Sequence, residues 1–123
     1  MQDALINVEN FSSLDWDLSL KLVAGNSNLA KDLMQAMLIS LPEEQKAINN
    51  YFNNKQLSQL REQIHRLHGG CCYTGFSKLK NITKYLEKEI INQNLININY
   101  YIKILNQEIE FLTKTFLRGD INF

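Results

Sequence analysis

Six apolar side chains near the C-terminus, Ile98, Ile102, Leu105, Ile109, Leu112 and Phe116, recur at alternating intervals of four and three. That spacing paints one face of an α-helix and is the seam of a packed bundle. A half-buried strand would alternate with period two. The last stretch of the chain is therefore helical, and it needs other helices to cover it.

The rest of the sequence supplies them. Trp16, Leu20 and Val23 mark a short helix starting near Asp15 and closed by Gly25. Ser27 or Asn28 caps a second helix, whose apolar residues Leu29, Leu33, Met37, Leu41, Ile48 and Phe52 keep the period past Pro42. Pro42 removes one backbone donor and should kink this helix or split it; one long bent helix is the expectation. A turn is expected over Asn49 to Lys55. A third helix runs from about Gln56 to Thr74, with Leu57, Leu60, Ile64, Leu67 and Cys71 inward and Gly75 closing it. Ser77 caps a fourth helix carrying Leu79, Ile82, Leu86 and Ile90; Asn92 to Asn97 form the next turn, and Gly119 stops the last helix. Four long helices joined by short turns give an all-α, antiparallel up-down-up-down four-helix bundle with a short extra N-terminal helix. Residues 1–13 read as a linker or lead-in, and 14–119 as the domain.

Charge narrows the function. Thirteen basic and thirteen acidic residues cancel, which argues against bulk attraction to nucleic acid or an anionic membrane. No apolar run is long enough to span a bilayer, and the first residues lack the pattern of a signal peptide. The two cysteines, Cys71 and Cys72, are adjacent, a poor geometry for a disulfide. A cytoplasmic, reduced setting is expected, with both cysteines as small packing residues and a redox role for Cys72 as the lesser reading.

Both histidines fall in one stretch of the third helix, Glu62-Gln63-Ile64-His65-Arg66-Leu67-His68-Gly69-Gly70-Cys71-Cys72. At about 100° per residue, His65 lies about 120° from the centre of the buried arc, His68 about 60° and Gly69 about 160°. Arg61 and Cys72 flank His65 at about 80° and 100°. One imidazole is thus exposed and one sits at the boundary. An outward glycine costs helix stability, on the order of 1 kcal/mol relative to Ala, but leaves bare backbone that a second protein can approach. A neutral exposed imidazole is a competent nucleophile toward an activated phosphoryl group. His68, Arg61, Arg66, Lys78 and Lys80 are close enough in sequence for some of them to hold the resulting negative charge.

Metal readings fail on the residues. Glu62-x-x-His65 is half of a di-iron bundle motif, and the second half would need histidines the chain lacks. A zinc set of His65, His68, Cys71 and Cys72 would need Cys71 to turn out of the core. Tyr100 and Tyr101 are expected to be one boundary and one exposed ring.

His65-Arg66-Leu67-His68-Gly69-Gly70 resembles the histidine phosphotransfer motif, His-x-(Leu/Ile)-(Lys/His)-Gly-(Ser/Ala/Gly). The surrounding run HRLHGGCCYTGFSKLKNITKYLE, with Asp15-Trp16 and Leu41-Pro42-Glu43 upstream, is similar to the C-terminal phosphotransfer domain of BarA/GacS-type hybrid sensor kinases over roughly residues 14 to 118. The resemblance implies a helical bundle with His65 as phosphoacceptor, His68 supporting the phosphoryl group and Gly69 beneath a docked receiver domain. It implies a carrier without its own ATP site, and no Gly-rich nucleotide loop is found in the sequence. No cofactor is expected in the domain itself; Mg2+ would come from the receiver. The implied partners are a receiver domain of a parent kinase, itself anchored in the inner membrane, and that of a DNA-binding response regulator. Arg61, Arg66, Cys72 and Lys78 are the further binding candidates. The competing expectation is a non-catalytic helical adaptor that dimerises through the 98–116 seam.

Overall fold

The computed structural model describes residues 5–121. Within them the chain forms a 3-10 turn at Val8–Asn10 and five α-helices: α1 Trp16–Leu22, α2 Ser27–Asn53, α3 Leu57–Cys71, α4 Ser77–Ile91 and α5 Leu95–Leu117. Among the described residues there is no strand. Helix α2 packs on α3, α3 on α4, α4 on α5, and α5 back on α2, so the four long helices close a ring around one core. The short α1 lies against α2.

The seam that began the reading is buried from Ile98 through Leu112, with Phe116 packed at its edge. It is used up inside the bundle, so the seam offers no surface for the dimerising adaptor. The inner faces of α3 and α4 also match expectation: Leu60, Ile64, Leu67 and Cys71 meet Leu79, Ile82, Leu86 and Ile90.

Helix α2 departs from the reading in three places. Its cap is Asn26, whose side chain accepts from the Leu29 N–H at 3.0 Å, and Ser27 is already helical. Over its first turns the buried ladder is Ala30, Met34 and Leu38, one residue later than expected, while Leu29 stays 43% exposed. Two apolar ladders run side by side here, and only the position of the partner helices chooses between them. The helix also continues to Asn53 through the segment expected as a turn. Asn49 and Asn106 of α5 exchange amide hydrogen bonds of 3.0 Å, and Gln45 donates to Asn106 at 2.8 Å. These ties across to α5 hold the last turns of α2 helical. Pro42 lies inside this single 27-residue helix on an exposed position.

The ends of α3 and α4 differ as well. Helix α3 stops at Cys71, and α4 starts after Phe76, with no side-chain cap from Ser77. The Ser12 carbonyl takes the cap's place by accepting from the Lys78 N–H at 2.8 Å. Gly75 does not close α3. It is buried against α1, its carbonyl accepts from the Asp15 N–H at 2.8 Å, and a Cβ there would lie 2.0 Å from the Asp15 carbonyl oxygen. Asn94 caps α5, so the α4–α5 turn is shorter than expected; Gly119, at φ +74°, ends α5 as its position suggested.

The lead-in packs against the bundle. Val8 joins the core, and the Ile6 N–H donates to the Tyr101 hydroxyl at 3.1 Å. Tyr101 is consequently buried and Tyr100 half-buried, where one exposed ring had been expected. The expectation failed because the ring's cover comes from a segment with no period to announce it. Residues 1–4 of the expected lead-in lie outside the described residues.

Two glycines should respond in opposite directions. Gly75→Ala forces backbone against backbone and should cost at least about 1–3 kcal/mol. Gly69→Ala, where a Cβ meets nothing within 4 Å, should gain about 1 kcal/mol from helix propensity. Urea denaturation midpoints of the two variants check both signs.

Candidate functional site

Helix α3 buries Leu60, Gln63, Ile64 and Leu67 and turns the opposite ridge to solvent. His65 lies on that ridge with 72% of its side chain exposed, and His68 is half-buried beside it. The angular placement of the two rings is as the sequence indicated.

Each ring is fixed through one nitrogen. His65 Nδ1 lies 2.8 Å from Glu87 Oε2 on α4. A carboxylate only accepts, so the proton belongs on Nδ1 and the lone pair on Nε2, which is left facing solvent. His68 Nδ1 lies 3.1 Å from the Lys80 carbonyl and 3.1 Å from the Thr83 hydroxyl. A carbonyl also only accepts, which puts the His68 proton on Nδ1 as well. Its Nε2 faces the Cys72 thiol at 3.9 Å. His68 can therefore offer a hydrogen bond from Nε2 only in its doubly protonated form.

A groove of about 520 Å³ opens beside His65, lined by Ser58, Arg61, Glu62, Arg66 and Glu87. Arg66 donates to Gln63 at 2.9 Å, and Gln63 in turn donates to Glu44 on α2. Arg61 and Arg66 are both exposed and share the groove with the imidazole, as expected. On the other flank, a second groove of about 410 Å³ runs between α2 and α3, lined chiefly by Leu33, Ala36, Met37, Gly70 and Tyr73. Gly69 lies between the two with open space around its Cα. Gly70 is held close to α2, where a Cβ would meet the flexible end of Met37 at 2.7 Å.

Lys78 is not at this site. Its ammonium lies 3.1 Å from Glu9 and 3.9 Å from the buried Glu108, on the face covered by the lead-in. It precedes Glu87 by nine residues, about 13 Å along α4. Sequence proximity to His65 was misleading because the α3–α4 turn reverses the chain. Lys80 contributes its carbonyl, through His68.

Cys71 is sealed in the core, and burial pushes its thiol up to about 12, with the neighbouring Cys72 adding to the shift. A group held that far from its thiolate is a packing residue. With Cys71 inward and His65 outward, the four-residue zinc set cannot converge. Among the described residues no three His, Cys, Asp or Glu side chains come together as a metal site. Glu87 and Thr83 were missed by the sequence reading. Their only signal is a shared face of α4, and which face of α4 meets α3 is a property of the packed pair.

Comparison with known proteins gives the same picture. The Hpt domain family matches residues 32–110. The histidine-protein kinase BarA of Shigella flexneri is 34% identical over 79 residues, covering 64% of this chain and 9% of BarA. The sensor protein GacS of Pseudomonas syringae pv. syringae is 36% identical over 81 residues, covering 66% of this chain and 9% of GacS. The chain thus spans about a tenth of the length of these curated relatives. Among solved structures, the Hpt domain of a hybrid histidine kinase from Shewanella superposes with a TM-score of 0.79 at 24% identity, over 90% of this chain and 97% of that one. This likeness supports the shared fold. Among the described residues, no helix is long and apolar enough to cross a membrane.

The Glu87 contact predicts a tautomer. In ¹⁵N spectra of neutral His65, the Nδ1–H form should dominate, and Glu87→Ala should shift the balance toward Nε2–H. An unchanged balance in that variant would remove Glu87 from its orienting position.

Proposed function

The chain belongs to the Hpt domain family, and on that premise we propose that it carries a phosphoryl group on His65 between receiver domains of a two-component relay. Hpt domains are phosphotransfer carriers and not kinases themselves. The observation that supports this site most directly is the exposed His65 ring, with its Nδ1 proton held by Glu87 and its Nε2 lone pair open to an approaching protein.

The transfer balances without moving that proton. Nε2 attacks the phosphorus of a receiver's phosphoaspartate, the N–P bond forms as the acyl P–O bond breaks, and the receiver recovers its carboxylate. The phosphorylated ring keeps its Nδ1–H, and its positive charge lies against the Glu87 carboxylate. In the second half the Asp of another receiver attacks the same phosphorus and neutral imidazole is released. Positioning and electrostatics are what the carrier adds to such a step.

Each further residue has a role in this scheme. Arg61 and Arg66 present positive charge to the phosphoryl oxygens and to the acidic pocket of the receiver. His68 supports the phosphoryl group through Nε2 when protonated, with Cys72 packed against that nitrogen. Gly69 leaves room for the receiver, and the apolar groove of Leu33, Ala36, Met37 and Tyr73 gives it a dry surface to seat on. Mg2+ comes with the receiver, and the domain itself needs neither cofactor nor ATP. The donor is the receiver of a parent hybrid kinase and the acceptor that of a DNA-binding response regulator, both on the cytoplasmic side.

Incubation with a phosphorylated receiver tests the scheme. Wild-type protein should acquire acid-labile, base-stable label, and His65→Gln should acquire none at unchanged helical content. Label retained in that variant would move the site elsewhere. Gly69→Glu should slow transfer by about ten-fold or more through crowding of the docked receiver, whereas Lys78→Ala should transfer at the wild-type rate.

A further inference from the structure

The face opposite the phosphotransfer ridge holds a buried charge cluster that the relay does not use. Glu108 projects from α5 beneath the lead-in with a side chain only 4% exposed. Its Oε2 is sealed from solvent and has no hydrogen-bond partner among the described residues. Oε1 lies 3.9 Å from the Lys78 ammonium, which is itself paired with Glu9 of the lead-in at 3.1 Å. A cavity of about 260 Å³ separates the lead-in from the helices here, walled by Val8, Ser13, Ile104 and Phe111 as well as the charged groups.

The charges do not cancel. Glu9 comes from the lead-in, Lys78 from α4 and Glu108 from α5, two carboxylates against one ammonium. Helix α2 meets α5 nearby through the neutral amides of Gln45, Asn49 and Asn106. With all three groups ionised, the cluster carries one excess negative charge, and Glu108 Oε2 is sealed from solvent with no hydrogen-bond partner among the described residues. Burial of that kind penalises the charged form. Burial raises the Glu108 carboxyl from its ordinary value; Ser13 and Lys78 draw it back down, and Glu9 adds to the rise.

Two events relieve the penalty. Glu108 takes up a proton, or the lead-in lifts and water reaches the carboxylate. We propose that residues 5–13 form a proton-linked strap, docked when Glu108 is protonated and loosened when it ionises. The docked strap is fastened by Val8 in the core, by Ile6 on the Tyr101 hydroxyl and by the Ser12 carbonyl on the Lys78 N–H. Among the described residues, the strap is the part covering Glu108 that lies outside the four-helix ring, so it is the element that can yield. Lifting it frees nine residues, about 30 Å of extended chain, which lengthens the arm that leads into the bundle.

The sign follows from linkage. A carboxyl raised in the docked state favours docking fully below its undocked value, and the advantage is lost as pH rises through the docked value. Between the two, the opening constant of the strap rises by up to ~10-fold per pH unit, the limit for one proton. NMR signals of the Ile6 amide and the Val8 methyls in the full chain, followed from pH 5 to pH 8, read the docked fraction. Opening should increase with pH and then level, while signals of α3 stay fixed. Glu108→Gln should abolish the response and keep the strap docked at pH 8. Glu9→Gln, at an exposed position, should shorten the pH span of the response by removing a repulsive charge. A docked fraction independent of pH, or a response that survives Glu108→Gln, overturns the proposal. If Glu108→Gln does not fold, an unchanged span in Glu9→Gln overturns it.

Discussion

His68 donates from Nδ1 to the Lys80 carbonyl and so pins α3 against α4 at one rotational setting. The contact costs little, because the carbonyl belongs to the first turns of α4 and the Thr83 hydroxyl shares it. Its effect reaches further than its strength. Seven residues beyond Lys80, on the same side of α4, Glu87 comes to the height of His65, where a carboxylate can hold the exposed ring by Nδ1. A rotation of α4 by one residue, about 100°, would replace Glu87 by Leu86 or Lys88. The buried-edge imidazole thus sets the geometry in which the exposed one is held.

This dependence explains what the sequence could and could not disclose. The bundle was readable because its inner faces repeat: the seam from Ile98 to Leu112 and the α3 stripe of Leu60, Ile64, Leu67 and Cys71 are single, unambiguous ladders. The first half of α2 was misread because Leu29, Leu33 and Met37 form a second ladder beside the true one. On α3 the orientation of His65, His68 and Gly69 followed from the wheel, since one helix suffices to define outward. Partners on another helix did not follow. Glu87 and Thr83 needed the relative rotation of α3 and α4, and the displacement of Lys78 needed the reversal of the chain between them. The lead-in itself carries a single core residue, Val8, and one residue has no period.

Charge is distributed between two faces of α4, Glu87 toward α3 and Lys78 toward α5 and the lead-in. Toward the ridge, α4 gives Glu87, 19% exposed, to the 72% exposed ring of His65 and orients it through Nδ1. On the opposite side of the bundle, the Glu108 side chain is only 4% exposed, and one of its two oxygens has no hydrogen-bond partner among the described residues. The same chemical group faces an exposed imidazole in one place and a sealed interior in the other, where burial penalises its charged form.

The ridge of α3 has one more consequence, which comes from its independence of the core. Arg61, Glu62, His65, Arg66 and Gly69 all point away from the apolar interior that holds the bundle together. Substitutions among the neighbours of His65 can therefore alter which protein surface is matched without disturbing the folding of the helix that bears them. Surface chemistry and foldability are written on opposite sides of one cylinder. A lineage of such bundles can diversify its wiring while its scaffold stays still.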